Sequence, residues 1–120
     1  MNRYRKFVKS KIQGLHITGK ELYYDGSLEL DLNLLRAADI LPGELVQVVN
    51  VNNGERFETY AIAGRAGSGR CVLKGAAARL GEVGDEIIVM SMVYLDQSEW
   101  HQHNLIKVQV DAQNRIATKK

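Results

Sequence analysis

Two runs of alternating side chains, residues 45–51 (Leu-Val-Gln-Val-Val-Asn-Val) and 56–62 (Arg-Phe-Glu-Thr-Tyr-Ala-Ile), flank Asn52-Asn53-Gly54. Asn-Gly accepts the backbone conformations that a tight turn between twisted antiparallel strands demands, so this stretch predicts a hairpin. Period two then places Arg56, Glu58, Tyr60 and Ile62 on one face and Phe57, Thr59 and Ala61 on the other. Further strands are expected from Lys11 and Ile12 through Thr18 (bent at Gly14), at Leu28 and Leu30, over 87–95 as a long buried strand, and over 105–110. Asp31 suits the N-cap of a helix over 32–38, which Pro42-Gly43 stops. A short helical turn follows Gly75. The glycine-rich residues 64–70 lack the Gly-Lys-Ser/Thr ending of a nucleotide loop and read as a flexible hairpin loop. The tail 114–120 is expected to fray.

One pattern occurs twice. Residues 37–44 (Ala-Ala-Asp-Ile-Leu-Pro-Gly-Glu) and 77–85 (Ala-Ala-Arg-Leu-Gly-Glu-Val-Gly-Asp) each run from a short helix through Gly and an acid into a buried strand. Two copies are too few for a solenoid. They predict a small, mainly β barrel with pseudo-twofold symmetry, each half supplying a helix that plugs one opening.

At 120 residues the chain is expected to form one domain, residues 1–120. With 45% apolar and 25% charged residues it matches an ordinary globular protein, and a net charge of +2 does not argue for nucleic acid. Arg3, Arg5, Lys6, Lys9, Lys11 and Lys20 all precede the first acid, Glu21. A solvated first strand lending one or two cations to an anion site accounts for them; a nucleic-acid arm is the competing account. The single Cys71 excludes an internal disulfide and reads as a buried thiol. The sequence has neither a long apolar run nor a signal-peptide core, so a cytoplasmic protein without membrane contact is expected.

Chemistry centres on Tyr23-Tyr24-Asp25-Gly26-Ser27. Asp-Gly marks a turn, and the carbonyl before Ser27 belongs to a glycine and is sterically open. A serine held there can attack that carbonyl and turn the peptide bond into an ester. Elimination and hydrolysis would then cut the chain and leave a pyruvoyl group at position 27. The plain alternative is a hairpin turn with a solvated serine. A pyruvoyl carbonyl can take up an amine as a Schiff base and accept electrons released by decarboxylation, without metal or diffusible cofactor. Arg56 offers a fork for a carboxylate, Lys11 a point charge, and Tyr60 a phenolic proton. The amides of Gly75, Ala76 and Ala77 could bind a carboxylate. The plain alternative is again a set of strand-face residues. His101 and His103 could share one side of a strand, but with no third histidine beside them they read as a polar loop rather than a metal site, with Trp100 a packing or subunit-contact residue.

These residues resemble the pyruvoyl-dependent aspartate 1-decarboxylases, which make β-alanine for pantothenate and coenzyme A. The resemblance rests on Ser10-Lys11-Ile12, on Tyr24-Asp25-Gly26-Ser27 followed by Asp31, on Asn53 to Tyr60, and on Gly75-Ala76-Ala77-Ala78 with Val83-Gly84-Asp85. It implies a double-psi β-barrel, a homotetramer with sites between subunits, and self-cleavage between Gly26 and Ser27. By position, Ser27 would become the pyruvoyl cofactor and Tyr60 the proton donor. Thr59 would assist processing and contact substrate, Tyr24 would take part in processing, and Arg56 and Lys11 would face the carboxylates of L-aspartate. Gly75, Ala76 and Ala77 would line the pocket. A maturation factor is a further possible partner. The chain departs from the common family pattern at Lys74, where Asn is usual, at Gln13, where His is usual, and at Val49, where some members carry Trp. Lys74 and Gln13 are the basis for an alternative, an uncleaved, non-catalytic barrel that serves as a binding or assembly protein.

Overall fold

In the computed structural model, which describes residues 3–119, the alternating stretches become strands. The described chain runs β1 (Tyr4–His16), β2 (Gly19–Glu21), β3 (Ser27–Asp31), α1 (Leu32–Ala37), β4 (Leu45–Asn50), β5 (Arg56–Gly64) and β6 (Cys71–Lys74). A 3-10 helix, Gly75–Leu80, leads to β7 (Glu86–Asp96); a second, Gln97–Gln102, leads to β8 (Ile106–Val110) and β9 (Ile116–Lys119).

The predicted hairpin forms, with Leu45 opposite Tyr60 and Val49 opposite Arg56. The buried Asn50 closes its turn by accepting the amides of Asn52 and Asn53 at 2.9 and 3.3 Å. Strand order is β2-β6-β3-β5-β4-β7-β1-β8-β9. Because β1 runs on toward β2, and the Thr18 amide bonds the Cys71 carbonyl at 2.8 Å, the two ends of the β2-to-β1 run meet and the sheet closes. Inside the closure Ile12, Leu15, Leu28, Leu30, Val46, Val48, Ala61, Leu73, Ile87 and Val89 are buried, with Leu34 and Leu35 entering from α1 and Ala78 from the first 3-10 helix. Each large side chain of this set contributes about 1.5–3 kcal/mol by leaving water. Cys71 lies in the same core, and burial pushes its thiol up to about 12.

The two halves superpose in their hydrogen bonds. The Gly43 amide bonds the Ala61 carbonyl at 2.7 Å while the Ala61 amide bonds the Glu44 carbonyl at 3.0 Å. In the other half the Gly84 amide bonds the Ile17 carbonyl at 2.8 Å and the Ile17 amide bonds the Asp85 carbonyl at 2.9 Å. Thus β3-α1-β4-β5 matches β6, the first 3-10 helix, β7 and β1. Two connections pass over a strand rather than around a hairpin. β5 and β6 follow each other in sequence with β3 lying between them, and β2 and β3 do the same with β6 between them. These are the two psi crossings.

Several expectations are corrected. Residues 64–70 are no hairpin loop, since β5 and β6 do not pair. They are held down where they cross β3: the Asp31 carboxylate accepts the Gly67 amide at 3.0 Å and the Gly69 amide at 2.9 Å. The same carboxylate caps α1 through the Asn33 amide at 2.8 Å. α1 ends at Ala37, with Asp39 in the left-handed region, well before Pro42. Over its described length the tail forms a strand: buried Asn114 bonds the His16 amide and both the His16 and Gly69 carbonyls, at 2.8–2.9 Å, and β9 pairs with β8. Lys120, the last residue of that expectation, and Met1 and Asn2 of the predicted domain lie outside the described residues. β7 is buried in its first half only, its end forming an exposed ribbon with the start of β1.

Candidate active site

Ser27 opens β3, immediately after the crossing from β2, and is fully buried. Its hydroxyl donates to the Asp25 carbonyl at 3.4 Å. Gly26 beside it is exposed, and a Cβ built there meets nothing within 4 Å. Beneath the crossing lies Gly75, at φ +67, where a Cβ would sit 2.6 Å from Gly26 Cα and 2.8 Å from the Tyr24 carbonyl oxygen. Only glycine combines that conformation with that contact.

Strand register sorts the neighbouring side chains. Leu28 faces Leu73 on β6 and Ala61 on β5, all three pointing into the core. Ser27 pairs with Lys74, so Ser27, Glu29 and Lys74 share the opposite face, and Tyr60 lies one residue before Ala61 on that same face. Thr59 points the other way, as period two predicts. Ala76 and Ala77 follow Gly75 in the 3-10 helix, Ala76 exposed and Ala77 buried.

One chain therefore brings Tyr24, Gly26, Ser27 and Gly75 together, with Tyr60 on the same sheet face. It does not bring the expected cations to them. Arg56 is exposed at the far end of β5, opposite Val49, and Lys11 sits on β1 opposite Met90 on β7 and Lys107 on β8, three strands none of which pairs with β3. Of the other early basic residues, Lys9 pairs with Glu44 at 3.1 Å and Lys20 with Glu82 at 3.1 Å. His103 bonds the Val8 carbonyl at 2.8 Å, and the His101 ring packs against Trp100 with centroids 4.6 Å apart. Among the described residues no three His, Cys, Asp or Glu groups gather in metal-binding range, and no helix is long and apolar enough to cross a membrane.

The site also holds a charged cluster that sequence reasoning missed. Lys74, 7% exposed, donates to Glu29 Oε1 at 2.9 Å and lies 3.6 Å from Glu21 Oε2. Glu29 in turn takes a two-point contact from Arg70. The Arg70 hydrogen bond, helped by Lys74 and opposed by burial, holds the Glu29 carboxyl below its ordinary value. The Glu29 hydrogen bond raises Lys74. Lys74 Nζ also lies 4.1 Å from the Tyr24 ring centroid. The signal was present in Leu28-Glu29-Leu30, an acid inside an apolar strand, which requires a buried partner.

A closed barrel of two matched halves with two crossing connections is a double-psi β-barrel. The family model for aspartate decarboxylase matches residues 3–117. The aspartate 1-decarboxylase of Kosmotoga olearia is 50% identical over 105 residues, covering 88% of this chain and 91% of that protein. That of Persephonella marina is 46% identical over 112 residues, 93% and 80% respectively, and that of Staphylococcus epidermidis 52% identical over 100 residues, 83% and 78%. The chain belongs to the aspartate decarboxylase family.

Proposed function

We propose that this protein is an aspartate 1-decarboxylase that converts L-aspartate to β-alanine and carbon dioxide on a pyruvoyl group made from its own Ser27. The observation that carries this reading is the close packing of Gly75 against Gly26, directly before a fully buried serine. Ser27 Oγ attacks the Gly26 carbonyl carbon, the C–N bond breaks, and an ester forms. Loss of the Ser27 Cα proton expels the Gly26 carboxylate as the Cβ–O bond breaks. The dehydroalanine left behind takes a proton on Cβ and becomes an imine, and water adds to its C=N bond and expels ammonia, leaving the pyruvoyl carbonyl. When present, that carbonyl supplies an electrophile for the substrate amine and a sink for the electron pair freed with carbon dioxide.

Tyr60, on the Ser27 face, holds the proton returned to the product. Arg56, from the far end of β5, and Lys11, from β1, bind carboxylate in a homotetramer whose sites lie between subunits. Exposed Tyr4, Leu45, Val51, Tyr94 and Trp100 offer apolar surface for that assembly. Thr59 assists processing, and the amides of Gly75, Ala76 and Ala77 line the pocket. The enzyme works in the cytoplasm, upstream of coenzyme A, with a maturation factor as a possible partner. Denaturing mass spectrometry is the test. Fragments 1–26 and 27–120, the second blocked at its start and labelled by aspartate on borohydride reduction, are expected. Ser27→Ala should stay whole and unlabelled; a wild-type chain that stays whole and takes no label would overturn the reading.

A further inference from the structure

We propose that Lys74 is a positioning residue for chain cleavage, fixing the crossing that carries Gly26 and Ser27 as Asp31 fixes the other crossing. The proposal rests on the self-processing reading above. Asp31 and Lys74 occupy matched places. Each is the last residue of a strand that a psi crossing passes over, and each directly precedes a helix, at Leu32 and at Gly75. Asp31 holds its crossing by accepting the Gly67 and Gly69 amides. Lys74 holds its own by placing its ammonium against the Tyr24 ring, 4.1 Å from the centroid.

Apart from its packing on Gly75, little else restrains that turn. Among the described residues, 23–26 make no backbone–backbone hydrogen bonds outside the strand ladders, Tyr23 is 95% exposed, and Ser27 Oγ bonds only within the turn, to the Asp25 carbonyl. The direction of the Lys74 side chain is set from behind: Arg70 grips Glu29, and Glu29 grips Lys74 at 2.9 Å. With Glu21 at 3.6 Å, two acids balance two bases, so Lys74 is engaged by the protein rather than left free for a substrate carboxylate. Ser27 and Lys74 are cross-strand partners, so a shift at Lys74 is felt at the attacking hydroxyl.

The test is a pulse-chase of the full chain in cell-free translation, with the cleaved fraction read by denaturing mass spectrometry. Lys74→Met keeps the stem and removes the charge; Tyr24→Leu removes the aromatic face at a surface position that leaves the fold intact. Both are expected to slow cleavage by at least about tenfold, since small misplacements of a near-attack geometry cost that much or more. Lys74→Arg and Tyr24→Phe keep the cation and the ring and should restore cleavage to within about threefold of wild type. Rescue by these two, which a purely structural role for the side chains would not require, is the distinguishing readout. Should Lys74→Met not fold, the Tyr24 pair decides. If the wild type cleaves and Tyr24→Leu cleaves equally fast, the positioning role falls while self-processing stands. If the wild type stays whole, both fall.

Discussion

Gly75→Ala tests the geometry of the site most directly. Alanine at φ +67 enters the left-handed region, which costs about 1–2 kcal/mol. Its Cβ would lie 2.6 Å from Gly26 Cα and 2.7 Å from Gly26 N, backbone atoms that no side-chain rotation can move. Restoring ordinary contact requires the two segments to part by about 0.8 Å, an overpacking strain of about 1–3 kcal/mol. The combined loss of about 2–5 kcal/mol lowers Tm by roughly 8–20 °C for a chain of this size. The same displacement at Gly26 should slow cleavage by about 100-fold. Gly43→Ala is the control: its φ is +93, yet nothing lies within 4 Å of the added carbon, so it pays the backbone cost alone. Both variants would be followed by thermal unfolding and by the cleaved fraction over time. If Gly75→Ala matures at the wild-type rate and loses no more stability than Gly43→Ala, the close approach of the two segments is not what shapes the site.

Three other outcomes follow from the same contacts. Asp31→Asn leaves one acceptor oxygen where the Asn33, Gly67 and Gly69 amides are now served, and should cost about 1–3 kcal/mol in denaturant unfolding. Asn114→Ala removes bonds to the His16 amide and to the His16 and Gly69 carbonyls, and should cost about 2–4 kcal/mol, read by the same unfolding curve. The Glu29 carboxyl is held below its ordinary value of 4.5, chiefly by Arg70, so it binds fewer protons folded than unfolded. Its stabilising contribution is therefore complete above that value and lost as pH falls through the depressed folded one. Stability of Glu29→Gln, measured from pH 7 downward, should fall less steeply than that of the wild type below about pH 4.5.

Local chemistry made the hairpin, the cap at Asp31 and the doubled helix-to-strand pattern legible from residues alone, because turn propensity, capping and alternation act within a few positions. The candidate serine was legible for the same reason: an open carbonyl before Ser27 is a property of its two neighbours. Alternation along β5 also placed Tyr60 and Thr59 on opposite faces. Beyond that hairpin, tertiary structure alone decided which strands became neighbours. Nothing within residues 64–70 says that β3 lies between β5 and β6, and the glycines that suggested a loose hairpin instead supply amides to Asp31. Asn114 looked like the start of a loose tail because its three partners lie on distant segments. Lys74 stood out in the sequence only as a departure from the family pattern, because the acids that engage it arrive from β2 and β3. Short-range forces shape each element, whereas the pairing of buried charges and the crossing of connections exist only once the barrel has closed.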